Sequence, residues 1–262
     1  MPLSRFLLPN DPPPLSWVNE TGEAPVLLLC DHASARIPTR LGDLGLSALD
    51  RARHIAWDIG AAAVTRHLAH RLGAPALLAG FSRLVIDLNR PPGEATSIPP
   101  VSDGSPIPGN QDLAAEEEVR RISALFEPYH SAAADKIAEQ KRRGPPPAII
   151  AIHSYTPVMA GVARPWHAGI LWSRDPRLAV PLLGALRALP GLEIGDNQPY
   201  SGQELGYTIG RHADRQGLPH VSVEIRQDLV ADEAGALRWA DILAEALGPI
   251  LAQPDLYRLG FA

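Results

Sequence analysis

Val26-Leu27-Leu28-Leu29-Cys30 runs without a break into Asp31-His32. A short continuous apolar run reads as a strand buried on both faces, and the polar pair that ends it as the start of a loop. The pattern returns three times. Leu84-Val85-Ile86 ends in Asp87, Asn89 and Arg90, Ala148-Ile149-Ile150-Ala151-Ile152 ends in His153-Ser154, and His220-Val221-Ser222-Val223 leads into Glu224-Ile225-Arg226. Shorter apolar runs lie at 76–79, 168–172 and 192–194. Helical segments are expected over 59–72, with Gly73 as a stop, over 113–142 with a break or kink at Pro128, and over 176–189, 204–216 and 232–251. Strands separated by helices predict an α/β sheet, largely parallel, with helices on both faces.

Length and composition agree with that reading. At 262 residues the chain suits one large domain or a tight pair, and with no repeat or sharp composition shift a single domain over 1–262 is expected, residues 1–23 forming an irregular lead-in. The one cysteine, Cys30, excludes an internal disulfide, a zinc ribbon and an iron–sulfur cluster, and suits a reducing compartment. A formal charge of −5 without a basic stripe argues against nucleic acid, and no apolar run approaches the roughly 20 residues needed to span a bilayer. A cytoplasmic location is expected. Residues 90–110, rich in Pro, Gly and Ser, read as a loop over a site.

In open α/β sheets ligands bind beyond the carboxyl ends of the strands. His32, Asp87, Asn89, Arg90, His153 and Glu224 all fall at such ends. Two imidazoles and a carboxylate can hold zinc, a free carboxylate can deprotonate water, and arginines can bind an acidic substrate. Taken singly each residue has a plainer role: a histidine at a strand end is more often a hydrogen-bonded loop residue, and Glu224 with Arg226 fits a solvated strand face. The sequence lacks the phosphate-loop, dinucleotide, H-E-x-x-H and G-x-S-x-G motifs. His67 and His70 sit between Arg66 and Arg71 and read as a solvated helix face.

Four segments together carry a family resemblance. They are Cys30-Asp31-His32-Ala33-Ser34-Ala35-Arg36-Ile37-Pro38, Asp87-Leu88-Asn89-Arg90, Ile152-His153-Ser154 and Glu224-Ile225-Arg226-Gln227-Asp228-Leu229. In this order they resemble the N-formylglutamate amidohydrolase family, over residues 25–251. The resemblance implies a single three-layer α/β/α domain around a mixed, mostly parallel sheet, zinc carboxypeptidase-like (phosphorylase/hydrolase-like), and hydrolysis of an acidic N-acyl amino acid, N-formyl-L-glutamate above all. It implies one zinc per chain with His32 and His153 as ligands, Glu224 as general base, Arg83 polarising the scissile carbonyl, and Asn89 with Arg90 holding the substrate carboxylate.

In the wider fold group the first ligand pair is H-x-x-E, whereas Ala35 stands three residues after His32. The carboxylate ligand is therefore sought in Asp58, at the head of the first helix, with Asp31 as its rival. Adjacent side chains in extended chain point opposite ways, which makes joint ligation by Asp31 and His32 awkward. Arg226, Tyr207, Arg164, His167 and Tyr200 are further candidates for contact with substrate. A different N-acyl amino acid or short peptide as substrate, and a metal-free binding protein on the same fold, remain open at this point.

Overall fold

The computed structural model describes residues 6–203 and 206–260. In chain order its elements are β1 (Leu15–Val18), β2 (Val26–Cys30), α1 (Ala48–Ala52), α2 (Ala61–Leu72), β3 (Ala76–Ala79), the hairpin β4 (Val101–Ser102) and β5 (Ser105–Pro106), α3 (Ala115–Arg121), α4 (Glu127–Arg143) and β6 (Ala148–Tyr155). The hairpin β7 (Val158–Met159) and β8 (Val162–Ala163) follows, then β9 (Ala168–Leu171), α5 (Pro176–Arg187), β10 (Ile194–Asp196), α6 (Tyr207–His212), β11 (His220–Arg226) and α7 (Glu233–Leu251).

Seven strands form one mixed sheet in the order β1-β3-β2-β6-β11-β9-β10. The central run β3-β2-β6-β11 is parallel, as are β9 and β10, while β1 lies antiparallel on β3 and β9 antiparallel on β11. The reversal at β9 has a simple cause. Between β6 and β9 the chain makes only the small β7–β8 hairpin, and a parallel return requires a crossover of a dozen or more residues, usually helical.

Side chains of successive strand residues go to opposite faces. Val26, Leu28, Ile150, Ile152, Val221 and Val223 pack with α2, α5 and α7 in one core. Leu27, Leu29, Ile149 and Ala151 pack in a second core with Phe126, Tyr129, Ala133 and Ile137 from the α3–α4 segment and Ile209 from α6. The result is a three-layer α/β/α domain, and the strands read as unbroken apolar runs because both faces are covered. Among the described residues no helix is long and apolar enough to cross a membrane.

Three sequence expectations need correction. The lead-in over 1–23 is not wholly irregular, since Leu15–Val18 supplies the edge strand that satisfies the open side of β3. Leu84 to Leu88 is a buried turn rather than a strand. Its backbone is pinned by other groups: the Asn110 amide donates to the Leu84 carbonyl, the Arg121 guanidinium to the Val85 carbonyl, and the Asp87 N–H donates to the Ser97 carbonyl. Pro128 does not break the helical segment, because five residues of π-helix, Ile122–Phe126, precede it and place it in the first turn of α4. A wider turn accommodates the missing N–H at that point. Within the segment expected over 204–216, Glu204 and Leu205 lie outside the described residues, and α6 begins at Tyr207.

Candidate active site

β6 and β11 are parallel neighbours whose register sets Glu224 directly beside His153. Their apolar neighbours Ile152, Val223 and Ile225 face α2 and α7, so both polar side chains project from the opposite face. Asp31-His32 follows the end of β2, and Asp58 is brought against it by its own N–H, which donates to the His32 carbonyl at 3.0 Å. The Ser154 hydroxyl ties the same segment to β6 by donating to the Ile59 carbonyl at 2.7 Å. Two glycines allow this closeness. A Cβ on Gly60, at φ +81°, would meet the Val230 carbonyl oxygen at 2.1 Å, and one on Gly169, paired with Glu224 across β9, would meet the Gln198 carbonyl oxygen at 1.9 Å.

The Nδ1 atoms of His32 and His153 lie 3.2 and 2.9 Å from the same oxygen of Asp58. All three residues are buried, and their facing atoms fall within 4.8 Å of one another, a group that could hold a metal ion. Each imidazole has a second carboxylate behind it. His32 Nε2 lies 2.7 Å from Asp87, whose other oxygen takes two bonds from Arg83, at 3.0 and 2.6 Å. His153 Nε2 lies 3.7 Å from Asp31 Oδ2, and Asp31 Oδ1 accepts the Tyr129 hydroxyl at 2.6 Å. A metal-ligating histidine usually donates its other ring N–H to a carboxylate, as His32 can to Asp87; at His153 the outer carboxylate is near but not hydrogen-bonded. Asp58 thus stands at the convergence, and Asp31 stands behind His153.

The electrostatics follow from burial and charge. Against burial and the Arg83 charge, Asp87 and Asp58 hold His32 protonated up to about 9. Against burial, the two imidazoles hold the Asp58 carboxyl far below the usual carboxylate range. Burial pushes the Glu224 carboxyl up to about 7, with the His153 charge opposing it, and Glu224 Oε2 has no hydrogen-bond partner. An unpartnered buried polar group costs about 1–3 kcal/mol, and Glu224 holds such an atom beside the two imidazoles.

These shifts predict how the metal-free protein responds to pH. A folded His32 titrating at about 9 instead of 6.5 contributes stability that is complete below pH 6.5 and lost as pH rises towards 9, whereas the contribution of Glu224, raised from 4.5 to about 7, is lost between those two values. His130 and His212 act in the opposite sense. Burial lowers each to about 4, so the unfolded chain binds their protons first and stability is lost as pH falls below 6.5. The melting temperature of metal-free protein should therefore peak near pH 6.5. A melting temperature that climbs steadily from pH 5 to pH 9 contradicts this balance.

A cavity of about 140 Å³ opens over the group, lined among others by His32, Asp58, Arg83, Asn89, Arg90, His153 and Glu224. Eight residues named from the sequence, Tyr200 among them, line it. Tyr207, Arg226, Arg164 and His167 do not. Tyr207 packs its ring on Phe126 and His130 and accepts from Arg211 at 2.8 Å, outside the lining. Arg226 is intercepted by Asp228 through two bonds, at 2.8 and 3.2 Å, and donates to the Pro165 carbonyl. Arg164 donates to the Tyr200 hydroxyl at 3.0 Å and supports the wall, while His167 accepts the Glu193 N–H in a loop. His54, Tyr155 and Ser222 also line the cavity, and Asp87 and Tyr129 position the imidazoles. Tyr129 sits in a helix with no local mark of function, so only its contact with Asp31 exposes it.

Residues 24–231 match the sequence profile of the N-formylglutamate amidohydrolase family. The chain belongs to that family. It is 28% identical over 254 residues to an N-formylglutamate deformylase of Pseudomonas aeruginosa, covering 88% of this chain and 91% of that protein. A gene product of Agrobacterium tumefaciens has the same fold at TM-score 0.91 and 39% identity, over 95% of this chain and 98% of its own. An N-formylglutamate amidohydrolase of Ralstonia eutropha shares the fold at TM-score 0.63 and 21% identity, over 91% of this chain and 97% of its own.

Proposed function

We propose that this chain hydrolyses the N-acyl bond of a small acidic N-acyl amino acid, N-formyl-L-glutamate above all, with one zinc ion held by His32, Asp58 and His153. The observation that carries the reading is the meeting of two imidazole Nδ1 atoms on one Asp58 oxygen, with the unpartnered Glu224 carboxylate beside them. Two neutral nitrogens and one carboxylate oxygen are the donor set of a catalytic zinc site that keeps a position open. Zinc bound there supplies Lewis acidity, which polarises the scissile carbonyl and makes water acidic enough to react near neutrality.

The chain's own residues do the rest. Glu224, held near the operating pH by burial, accepts the proton of the attacking water and returns it to the leaving amine. Arg83 has two N–H groups on Asp87 and a longer one, at 3.4 Å, on Asp58, and its guanidinium lines the cavity where negative charge grows on the acyl oxygen. Asn89 and Arg90 bind the substrate carboxylate. Asn89 and Arg90 line both the cavity of about 140 Å³ over the imidazoles and a larger one of about 760 Å³ beside it. The buried, unpaired Cys30 suits a reducing, cytoplasmic setting.

Arg90→Lys should weaken binding although it keeps the charge, because an ammonium cannot match both oxygens of a carboxylate. Wild-type protein should discriminate strongly against a substrate whose α-carboxylate is an amide, and Arg90→Lys should discriminate less. Equal discrimination by both proteins would remove Arg90 from the role of carboxylate reader. The activity itself is tested by zinc content together with formate release from N-formylglutamate, beside acetyl- and succinyl-amino acids. Protein supplied with zinc that binds none, or that releases no acyl group from the panel, overturns the reading.

A further inference from the structure

The turn carrying Asn89 and Arg90 is held from behind by residues that line no part of the cavity. The Leu88 carbonyl accepts two bonds, from His130 Nε2 at 3.0 Å and from the Thr208 hydroxyl at 3.3 Å. The Asn89 side-chain oxygen accepts the Thr208 N–H at 2.9 Å, and the Asn89 N–H donates to Asp87 at 2.9 Å. With its Nε2–H committed to Leu88, a neutral His130 offers Nδ1 as an acceptor, and the Nε2–H of His212 supplies the donor at 2.8 Å. The two rings are nearly parallel, at 16°, and are 1% and 2% exposed.

A packed core position is filled most cheaply by an apolar ring, since a buried polar group must recover its lost hydration through hydrogen bonds. Here two imidazoles are buried together, and the chain of donors they form ends on one carbonyl, that of the residue before Asn89. The same carbonyl also takes the Thr208 hydroxyl, while the Thr208 N–H holds the oxygen of the Asn89 amide toward α6. What Asn89 has left to offer the cavity is its NH₂ group, a donor suited to a carboxylate.

We propose that His130, backed by His212, and Thr208 are positioning residues that set the Asn89–Arg90 turn to receive the substrate carboxylate. The inference rests on the functional reading above. His130 on α4 and Thr208 with His212 on α6 meet at Leu88, so two helices of one layer determine where the carboxylate is bound, at a distance from the metal group.

The test compares wild type with His130→Leu, His130→Gln, Thr208→Val and Thr208→Ser, measuring KM and kcat for N-formylglutamate with zinc content on the same samples. His130→Leu removes the donor to Leu88 and should raise KM about tenfold while kcat stays within about threefold and zinc content is unchanged. His130→Gln can place an N–H near the same carbonyl and should recover most of the loss. Thr208→Val should raise KM and Thr208→Ser should not, which keeps the test decisive if His130→Leu fails to fold. A purely structural role would lower the active fraction, and so the apparent kcat, without moving KM. Folded His130→Leu or Thr208→Val with wild-type KM, or with kcat falling and KM fixed, overturns the proposal. Wild-type protein that releases no formate sinks the functional reading and this inference with it, whereas turnover by wild type with no shift in the variants sinks this inference alone.

Discussion

Glu224→Gln is expected to keep the fold and the metal and to lose about 100- to 10,000-fold in kcat, the usual contribution of a general base. The amide has nearly the shape of the carboxyl group, and burial already pushes Glu224 up to about 7, so a neutral side chain is no burden to β11. Its Oε2 has no partner to lose. What disappears is the ability to take a proton from water and return it to the amine. Circular dichroism, zinc content and kcat on one preparation check the claim. If the variant retains more than about a tenth of wild-type turnover, Glu224 is only the polar face of a strand.

Asp58→Ala is expected to abolish tight zinc binding and turnover together. Both Nδ1 atoms meet on an oxygen of Asp58, which also accepts the Ser154 N–H at 3.3 Å, so the alanine removes a donor and leaves two buried imidazoles facing an empty corner. Asp31→Asn should be milder. Asp31 stands behind His153, and outer carboxylates of this kind are worth about 10- to 100-fold in metal affinity. Tyr129→Phe, which frees Asp31 Oδ1, should act in the same direction and less strongly than Asp31→Asn. Competition against a chelator gives zinc affinity without reference to activity. Tighter zinc in Asp58→Ala than in Asp31→Asn would exchange the two assignments.

The proposed zinc site ties metal binding to pH through the same groups. A ligand imidazole must be unprotonated, so on that proposal His32, held protonated up to about 9 without metal, gives up its proton on binding. Zinc affinity should therefore increase as pH rises through the neutral range.

Most of the fold was legible in the chain itself. Continuous apolar runs at Val26–Cys30 and Ala148–Ile152 announced strands covered on both faces, the polar residues that follow them pointed to His32 and His153, and the alternation over 220–226 pointed to Glu224. The family motifs supplied Asn89 and Arg90. Other features depended on groups distant in sequence. Leu84–Val85–Ile86 has the composition of a strand, yet Asn110 and Arg121 take its carbonyls and make it a turn. That Asp58 rather than Asp31 meets both imidazoles on one oxygen follows from the docking of the segment 54–60 against β2 and β6, 26 residues from His32 and 95 from His153. Arg226 is captured by Asp228, a local contact that the strand pattern does not announce. Tyr129, His130 and His212 acquire their contacts with Asp31 and Leu88 only when α4 and α6 pack over the end of the sheet. Periodicity reports which face of an element is buried, but the partner a buried polar atom finds depends on long-range packing, and that is why the outer layer of this site emerged only from the tertiary structure.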